Sequence, residues 1–229
     1  MTTGPLRAAL TWDYLTFSQQ WLPTLCSFKE CVRVPPADKF TIHGLWPNVW
    51  PDREPRDCPP ATPFDLHKLN PILEKLRTEW PDFLSTMDPD AFWEHEWYKH
   101  GRCAVEDELI KDELGYFNTS LNLHWKLPIL KLLAESGVYP SDSEPLEKQR
   151  LLDALERHMG VKPELQCMKK HREAAKLLEV RVCFNPKLEM INCYQPGTNE
   201  GEIDITAGRK IDSSMPCPDK LILPRHPES

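Results

Sequence analysis

Two short segments concentrate the groups that acid–base chemistry needs. The first, Phe40-Thr41-Ile42-His43-Gly44-Leu45-Trp46-Pro47, sets one imidazole at the end of an apolar run, beside Gly44 and Trp46. The second, Phe92-Trp93-Glu94-His95-Glu96-Trp97-Tyr98-Lys99-His100-Gly101-Arg102-Cys103, gathers two imidazoles, two carboxylates and a lysine on one helical length. At about 100° per residue, with His95 at zero, Lys99 falls at about 40°, Glu96 at about 100° and His100 at about 140°. His95 then stacks over Lys99, and Glu96 over His100, at i, i+4 spacing. A solvated helix face is satisfied by Glu and Lys, whereas two imidazoles flanked by Trp93, Trp97 and Tyr98 point to a functional site.

His95-Glu96 begins the zinc hydrolase pattern HExxH, but Lys99 holds the position where the second ligand must stand, and a cation there repels zinc. A metal site is therefore not expected. A Cys–His nucleophile is also disfavoured, because every Cys can be assigned to a bridge and none stands beside a distinctly polar, unpaired site. What remains is a base, an acid and positive charge to hold an anion, a set suited to phosphodiester transfer without a cofactor. The other five imidazoles, His67, His124, His158, His171 and His226, share no pattern and read as surface or packing residues.

The elements that must position these groups follow from periodicity. Thr11 to Trp21 and Lys39 to Trp46 read as strands, the first from its β-branched and aromatic residues, the second entered after Pro35-Pro36. Val49 to Pro63, rich in Pro and without apolar periodicity, reads as a long loop. Leu66 to Trp80 carries leucines at helical spacing behind Asp65 as cap. A second helix starts at Asp88-Pro89 and runs to about His100, and others span Thr119 to Ser136 and Pro145 to His158. Leu177 to Phe184 and Leu188 to Tyr194 read as a strand pair, and Pro218 to Ser229 as a loosely held tail. Strands and helices interleave without repeat or linker, which gives one α+β domain.

Composition narrows the class. A chain of 229 residues, 40% hydrophobic and 28% charged, builds a sizeable core and is neither disordered nor fibrous. No window approaches a membrane span, and Met1 to Trp12 is too polar for a secretory h-region, so a leader has been removed or was never present. The net charge of −7 argues against a broad basic face for nucleic acid, although protonating all eight His would bring it to +1, which suits a polyanionic substrate in acid. The eight Cys, Cys26, Cys31, Cys58, Cys103, Cys167, Cys183, Cys193 and Cys217, contain no CxxC pair and read as a disulfide framework from an oxidising compartment. Scattered thiols of a cytosolic chain are the alternative. Asn118-Thr119-Ser120 is an N-glycosylation acceptor pattern, which points the same way.

The segments FTIHGLWP and HEWxKHGxC resemble the two active-site signatures of the ribonuclease T2 family, secreted and lysosomal acid ribonucleases. The likeness extends to Tyr14, Gln19-Gln20-Trp21, Cys26, Trp80-Pro81 and the order of the Cys, covering residues 10 to 218. Arg102, where members more often carry a small hydroxyl residue, is a departure, as is the missing leader. The resemblance implies an α+β fold with a central antiparallel sheet flanked by helices in a single disulfide-bonded domain. Residues 1–9 would be an N-terminal extension, 10–217 the catalytic domain and 218–229 the tail. It implies an endoribonuclease that cleaves single-stranded RNA through a 2′,3′-cyclic phosphate, with an acidic optimum, low base specificity and neither metal nor other cofactor.

In that scheme His100 takes the 2′-OH proton and His43 protonates the leaving oxygen. Lys99 and protonated His95 hold the phosphate, and Glu96 orients the set through His100 or the phosphate. Trp46 stacks on or shapes a first base pocket and Gln20 with Trp21 a second, with plain core packing the alternative for both tryptophans. The implied bridges are Cys26–Cys31, Cys58–Cys103, and Cys183–Cys193 nested inside Cys167–Cys217. A glycosylated monomer without membrane attachment or obligate protein partner, secreted or lysosomal or endosomal, completes the expectation. A secreted binding protein that keeps the fold without turnover is the competing one.

Overall fold

The computed structural model describes residues 10–50, 53–55, 58, 62–84, 90–193 and 214–227. Its centre is an antiparallel sheet ordered β2-β1-β5-β4-β7, with β6 against β5. The strands are β1 (Tyr14–Gln20), β2 (Thr41–Asn48), β4 (Glu164–Met168), β5 (Lys176–Phe184), β6 (Met190–Ile191) and β7 (Met215–Pro216). A small second sheet pairs β3 (Leu146–Glu147) with β8 (Lys220–Leu221). Around them lie α1 (Leu22–Phe28), α2 (Leu73–Glu79), α3 (Ala91–Glu96), a single turn α4 (Arg102–Ala104), α5 (Glu113–Lys126), α6 (Ile129–Glu135) and α7 (Lys148–Met159). The architecture is the α+β one that interleaved strand and helix patterns imply.

Local chemistry accounts for the departures from simple periodicity. The helix expected over Leu66 to Trp80 opens as a 3-10 coil through Ile72, because Pro71 has no N–H for the α ladder; Asp65 caps it by accepting from the His67 N–H. The helix expected from Thr119 to Ser136 begins earlier, behind an Asp112 cap on Gly115 N–H, and breaks at Leu127. There Pro128 forces its predecessor out of the α region and starts α6 as its N-cap. Of the strand expected over Leu188 to Tyr194 only Met190–Ile191 pairs, and Tyr194 lies outside the described residues. Asp88-Pro89, the expected helix start, also lies outside them. Helix α1 and strand β4 carried no pattern strong enough to be read.

The C-terminal stretch corrects the expectation of a loose tail. Leu221, Ile222 and Leu223 are buried, Ile222 exchanges backbone hydrogen bonds with Ala175 and Leu177, and Trp21 Nε1 donates to Pro224 O at 2.7 Å. Three apolar residues in a row gain more by joining the core than the chain loses in freedom. Among the described residues the bridges are Cys26–Cys31, Cys58–Cys103, Cys167–Cys217 and Cys183–Cys193, with no free cysteine.

Candidate active site

A flaw in the sheet aims the first imidazole. Along β1 and β2 the register pairs Ser18 with Gly44 but Gln19 with Ile42, so His43 is an extra residue without a partner on β1. Such a bulge re-aims a side chain. Ile42 turns into the core, while His43 joins the face that carries Trp46 and Asn48. Helix α5 fixes this stretch from behind, since Tyr116 Oη donates to Leu45 O at 3.0 Å. Gly44 is required where it stands, because a methyl group there would overlap the Glu96 carboxylate and the Trp46 indole.

The second segment folds as α3, then widens into a π turn over Trp97–Gly101 before α4. Single π turns recur at functional sites because they shift the side chains that follow. Trp93 and Trp97 fill the core, and Gly101 lies so close to Trp97 that a methyl group would come within 2.5 Å of its ring. On the opposite side Glu96 and His100 are buried, at 2% and 3% exposure, and His95 and Lys99 are exposed. The i, i+4 pairs read from the sequence therefore divide by depth, one in solvent and one in the wall. Cys58–Cys103 ties the loop after β2 to the end of this helical run.

The two segments face one cleft of about 520 Å³, lined by His43, His95, Glu96, Lys99, His100 and Trp46. Its floor is one face of the sheet, with Tyr14 and Thr16 of β1, Arg181 and Cys183 of β5 and Glu164 of β4. Trp46 is the hinge of the arrangement. Its Nε1 donates to Glu96 Oε2 at 2.9 Å, its ring lies 5.4 Å from that of His100 and 5.0 Å from that of His43, and the Arg181 guanidinium covers it at 5.1 Å. Glu96 is thus held by Trp46. Lys99 Nζ stands 3.6 Å from Glu54 Oε1 at the rim.

Gln20 and Trp21 part company with the rest. Trp21 is fully buried, packed on Phe40 and bonded to Pro224, so it is a core residue and not a base-pocket residue. Gln20 borders a separate hollow of about 350 Å³ beyond His43, with Pro81, Phe83 and Phe92. Asn118 is exposed on α5. Among the described residues no three His, Cys, Asp or Glu side chains gather as a metal would require, and no helix is long and apolar enough to cross a membrane.

Two charged residues in contact with the site escaped sequence reasoning. Glu179 and Arg181 on β5 point into the site, and Glu179 Oε1 meets His43 Nδ1 at 2.5 Å. Arg181 binds Glu179 Oε2 through Nε at 2.8 Å and through a terminal nitrogen at 2.7 Å. Their signal was present: opposite charges at i, i+2 in an otherwise apolar central strand share one face. The electrostatics that result are asymmetric. Burial alone would raise Glu179, yet His43 and Arg181 hold it down at about 2. Burial would likewise lower His43, but the Glu179 charge and hydrogen bond outweigh it and raise this imidazole above its ordinary value. His100 has no such partner among the described residues; burial, then the charges of Lys99, His43 and His95, push it down to about 3. Burial pushes Glu96 up to about 7, against the pull of His43, Trp46 and Lys99. The cleft therefore holds a cationic imidazole and a neutral one over a wide acidic range, the pairing that proton transfer in both directions requires.

Comparison with known proteins gives the family. The model of the ribonuclease T2 family matches residues 12–193. Ribonuclease Oy of Magallana gigas is 32% identical over 193 residues, covering 82% of this chain and 91% of that protein. Among solved structures, human RNase T2 superposes with a TM-score of 0.74 at 29% identity over 93% of this chain and 99% of that one. RNase NT in complex with 5′-AMP superposes with a TM-score of 0.75 at 25% identity, over 93% and 98%.

Proposed function

From the premise that the chain belongs to the ribonuclease T2 family and is an endoribonuclease, we propose a metal-independent transphosphorylation of single-stranded RNA in which His100 is the base and His43 the acid. The observation that carries the assignment is the carboxylate bonded to His43, with none bonded to His100 among the described residues: the surroundings of the first ring favour its cation and those of the second its neutral form. His100 takes the proton of the ribose 2′-OH as that oxygen bonds to the adjacent phosphorus. The bond from phosphorus to the 5′-oxygen breaks, and His43 Nε2 gives that oxygen its proton. A 2′,3′-cyclic phosphate and a free 5′-hydroxyl are the products. DNA, lacking the 2′-OH, cannot react.

Lys99 and His95, both at the mouth of the cleft, are placed to hold the phosphoryl oxygens on which charge grows. Glu96, neutral below about pH 7, offers a carboxyl proton to one of those oxygens while Trp46 Nε1 holds its other oxygen. Trp46 borders the first base site and Gln20, with Phe92, a second beyond His43. Aromatic and apolar walls stack on any base, which gives low base specificity. The scheme draws on groups of a single chain, and we assign a monomer as the acting form. Four disulfides favour an oxidising compartment, and extracellular ribonuclease LE of Solanum lycopersicum is a relative at 30% identity; we assign a secreted or lysosomal or endosomal site, with glycan on exposed Asn118. Incubation of a defined oligoribonucleotide and its DNA counterpart in EDTA is the test. Cyclic-phosphate ends from RNA alone are expected across the acidic range. Cleavage that EDTA abolishes, or equal attack on DNA, refutes the mechanism, and binding without turnover would favour an inert binding protein.

A further inference from the structure

A buried carboxylate stands directly behind His43. Glu179 lies on the central strand, buried in a domain with every reason to keep a lone charge out. Its two oxygens are both engaged, Oε1 with His43 Nδ1 at 2.5 Å and Oε2 with Arg181 at 2.7 and 2.8 Å. Arg181 is held in turn by Glu164, 3.7 Å away, and lies over the Trp46 ring. A closed chain of contacts results. It runs from His43 through Glu179 and Arg181 to Trp46, and from Trp46 Nε1 to Glu96. Each member fixes the rotamer of the next.

We propose that Glu179, clamped by Arg181, is the positioning residue of the general acid, holding the His43 ring with its Nδ1 proton on the carboxylate and Nε2 toward the leaving oxygen. This rests on the assignment of His43 as the acid. An ionised carboxylate only accepts, so its contact with Nδ1 fixes the proton there and leaves Nε2 for the cleft. A buried carboxylate on the far nitrogen both orients an imidazole and stabilises its cationic form. The charged and titratable neighbours of His43 are Glu179 and Arg181 from β5, Glu96 from α3 and His100 from the π turn, and the nearest carboxylate contact is Glu179. Arg181 opposes the cation slightly but keeps Glu179 ionised, which is the larger effect. Among the described residues no carboxylate is bonded to His100, so of the two imidazoles proposed as acid and base the device serves His43.

The test separates the acid step from the rest of the reaction by changing the leaving group. A dinucleoside 3′,5′-monophosphate needs its 5′-oxygen protonated; uridine 3′-(4-nitrophenyl phosphate) releases a phenolate that does not. Glu179→Gln should slow the first substrate about 10- to 100-fold at pH 7, below the full contribution of a general acid, and the second less than about threefold. Its alkaline pH limb should move to lower pH, and the His43 ring, followed by NMR, should titrate lower. Glu179→Asp keeps the charge and should retain the alkaline limb. Equal losses on both substrates, or a His43 titration unmoved in Glu179→Gln, overturns the proposal. His43→Ala run beside it tells the two readings apart: the same leaving-group split is expected, and a loss on both substrates alike would remove the acid assignment itself.

Discussion

His43 and His100 are the same side chain in two opposite settings. His43 projects from a bulge in the sheet with an ionised carboxylate 2.5 Å from its Nδ1, whereas His100 is buried in the wall of a π turn near Lys99, His95 and His43. The sheet side stores a proton and the helix side refuses one. Neither property belongs to the imidazole; each is imposed by what the opposite strand or the adjacent helical turn presents. The sheet can supply a buried counter-ion because β5 runs alongside β1 and is flanked on its other side by β4, so Glu179 and Arg181 are shielded from water by neighbours. The helix offers exposed cations at the mouth and buried apolar rings behind, a combination that favours neutral imidazole.

Deleting either pole should give the largest effect. His43→Ala and His100→Ala are each expected to lower RNA cleavage by about 10² to 10⁴, the range for one general acid or base. They should differ in pH dependence: the His43 variant loses the alkaline limb of the profile and the His100 variant the acidic one. Steady-state rates against pH read both limbs, and identical residual profiles would erase the distinction. The next effect concerns the distance between the poles. Cys58–Cys103 joins the loop that follows β2 to the end of the helical run and closes a loop of 45 residues, for which the chain-entropy account gives about 4 kcal/mol. Replacing both with Ala should lower the unfolding free energy by about that amount and reduce turnover through misplacement of the two rings. Denaturant titration checks the first. Retained turnover in the still-folded fraction would show that the sheet and helix hold their spacing without the bridge.

Trp46→Phe sharpens the comparison, since it removes the one hydrogen bond that joins the two sides while keeping an aromatic face. Glu96 would lose its indole donor, a hydrogen bond to a neutral carboxyl worth about 1 kcal/mol or about fivefold in rate. The variant should show that loss with little change in KM. An unchanged kcat would mean that Glu96 is held by packing alone.

How much of this was legible depended on sequence distance. His95, Glu96, Lys99 and His100 lie within one and a half turns, and the helical pattern alone separates a His95–Lys99 row from a Glu96–His100 row. The buried and exposed assignments of those rows then followed the tryptophans. The β-bulge that aims His43 was not legible, because a one-residue slip leaves no mark on alternation until the partner strand is known. Glu179 was missed for a related reason. It meets His43 across 136 residues, and its neighbours Leu178, Val180 and Val182 read as an ordinary apolar strand. Trp21 erred in the other direction: its signature-like neighbours suggested a base pocket, but the chain end, read as loose, returns to bury it.

The smallest expected effect is also the one that tests the electrostatics without catalysis. Glu179 has its folded pKa depressed to about 2, so its ion pair stabilises the fold above the ordinary carboxylate value and that contribution is lost as pH falls toward about 2. His43 is raised, so its share is complete below about 6.5, the ordinary imidazole value, and fades as pH climbs through the raised one. His100 runs the opposite way to His43. Its folded pKa lies at about 3, so the unfolded chain binds more protons than the native one between about 3 and 6.5, and stability must rise with pH there. Glu96, raised to about 7, binds its proton more tightly when folded and makes stability fall from the ordinary carboxylate value up to about 7. His100 and Glu96 therefore oppose each other across the mildly acidic range, and their sum is nearly flat. Removing one exposes the other. Urea unfolding of His100→Asn should show stability falling with pH between about 5 and 7, and Glu96→Gln should show it rising over the same interval. Parallel slopes in the two variants would mean that the two groups do not sit at the opposed values their surroundings dictate, and would take away the electrostatic basis for reading one side of the cleft as acid and the other as base.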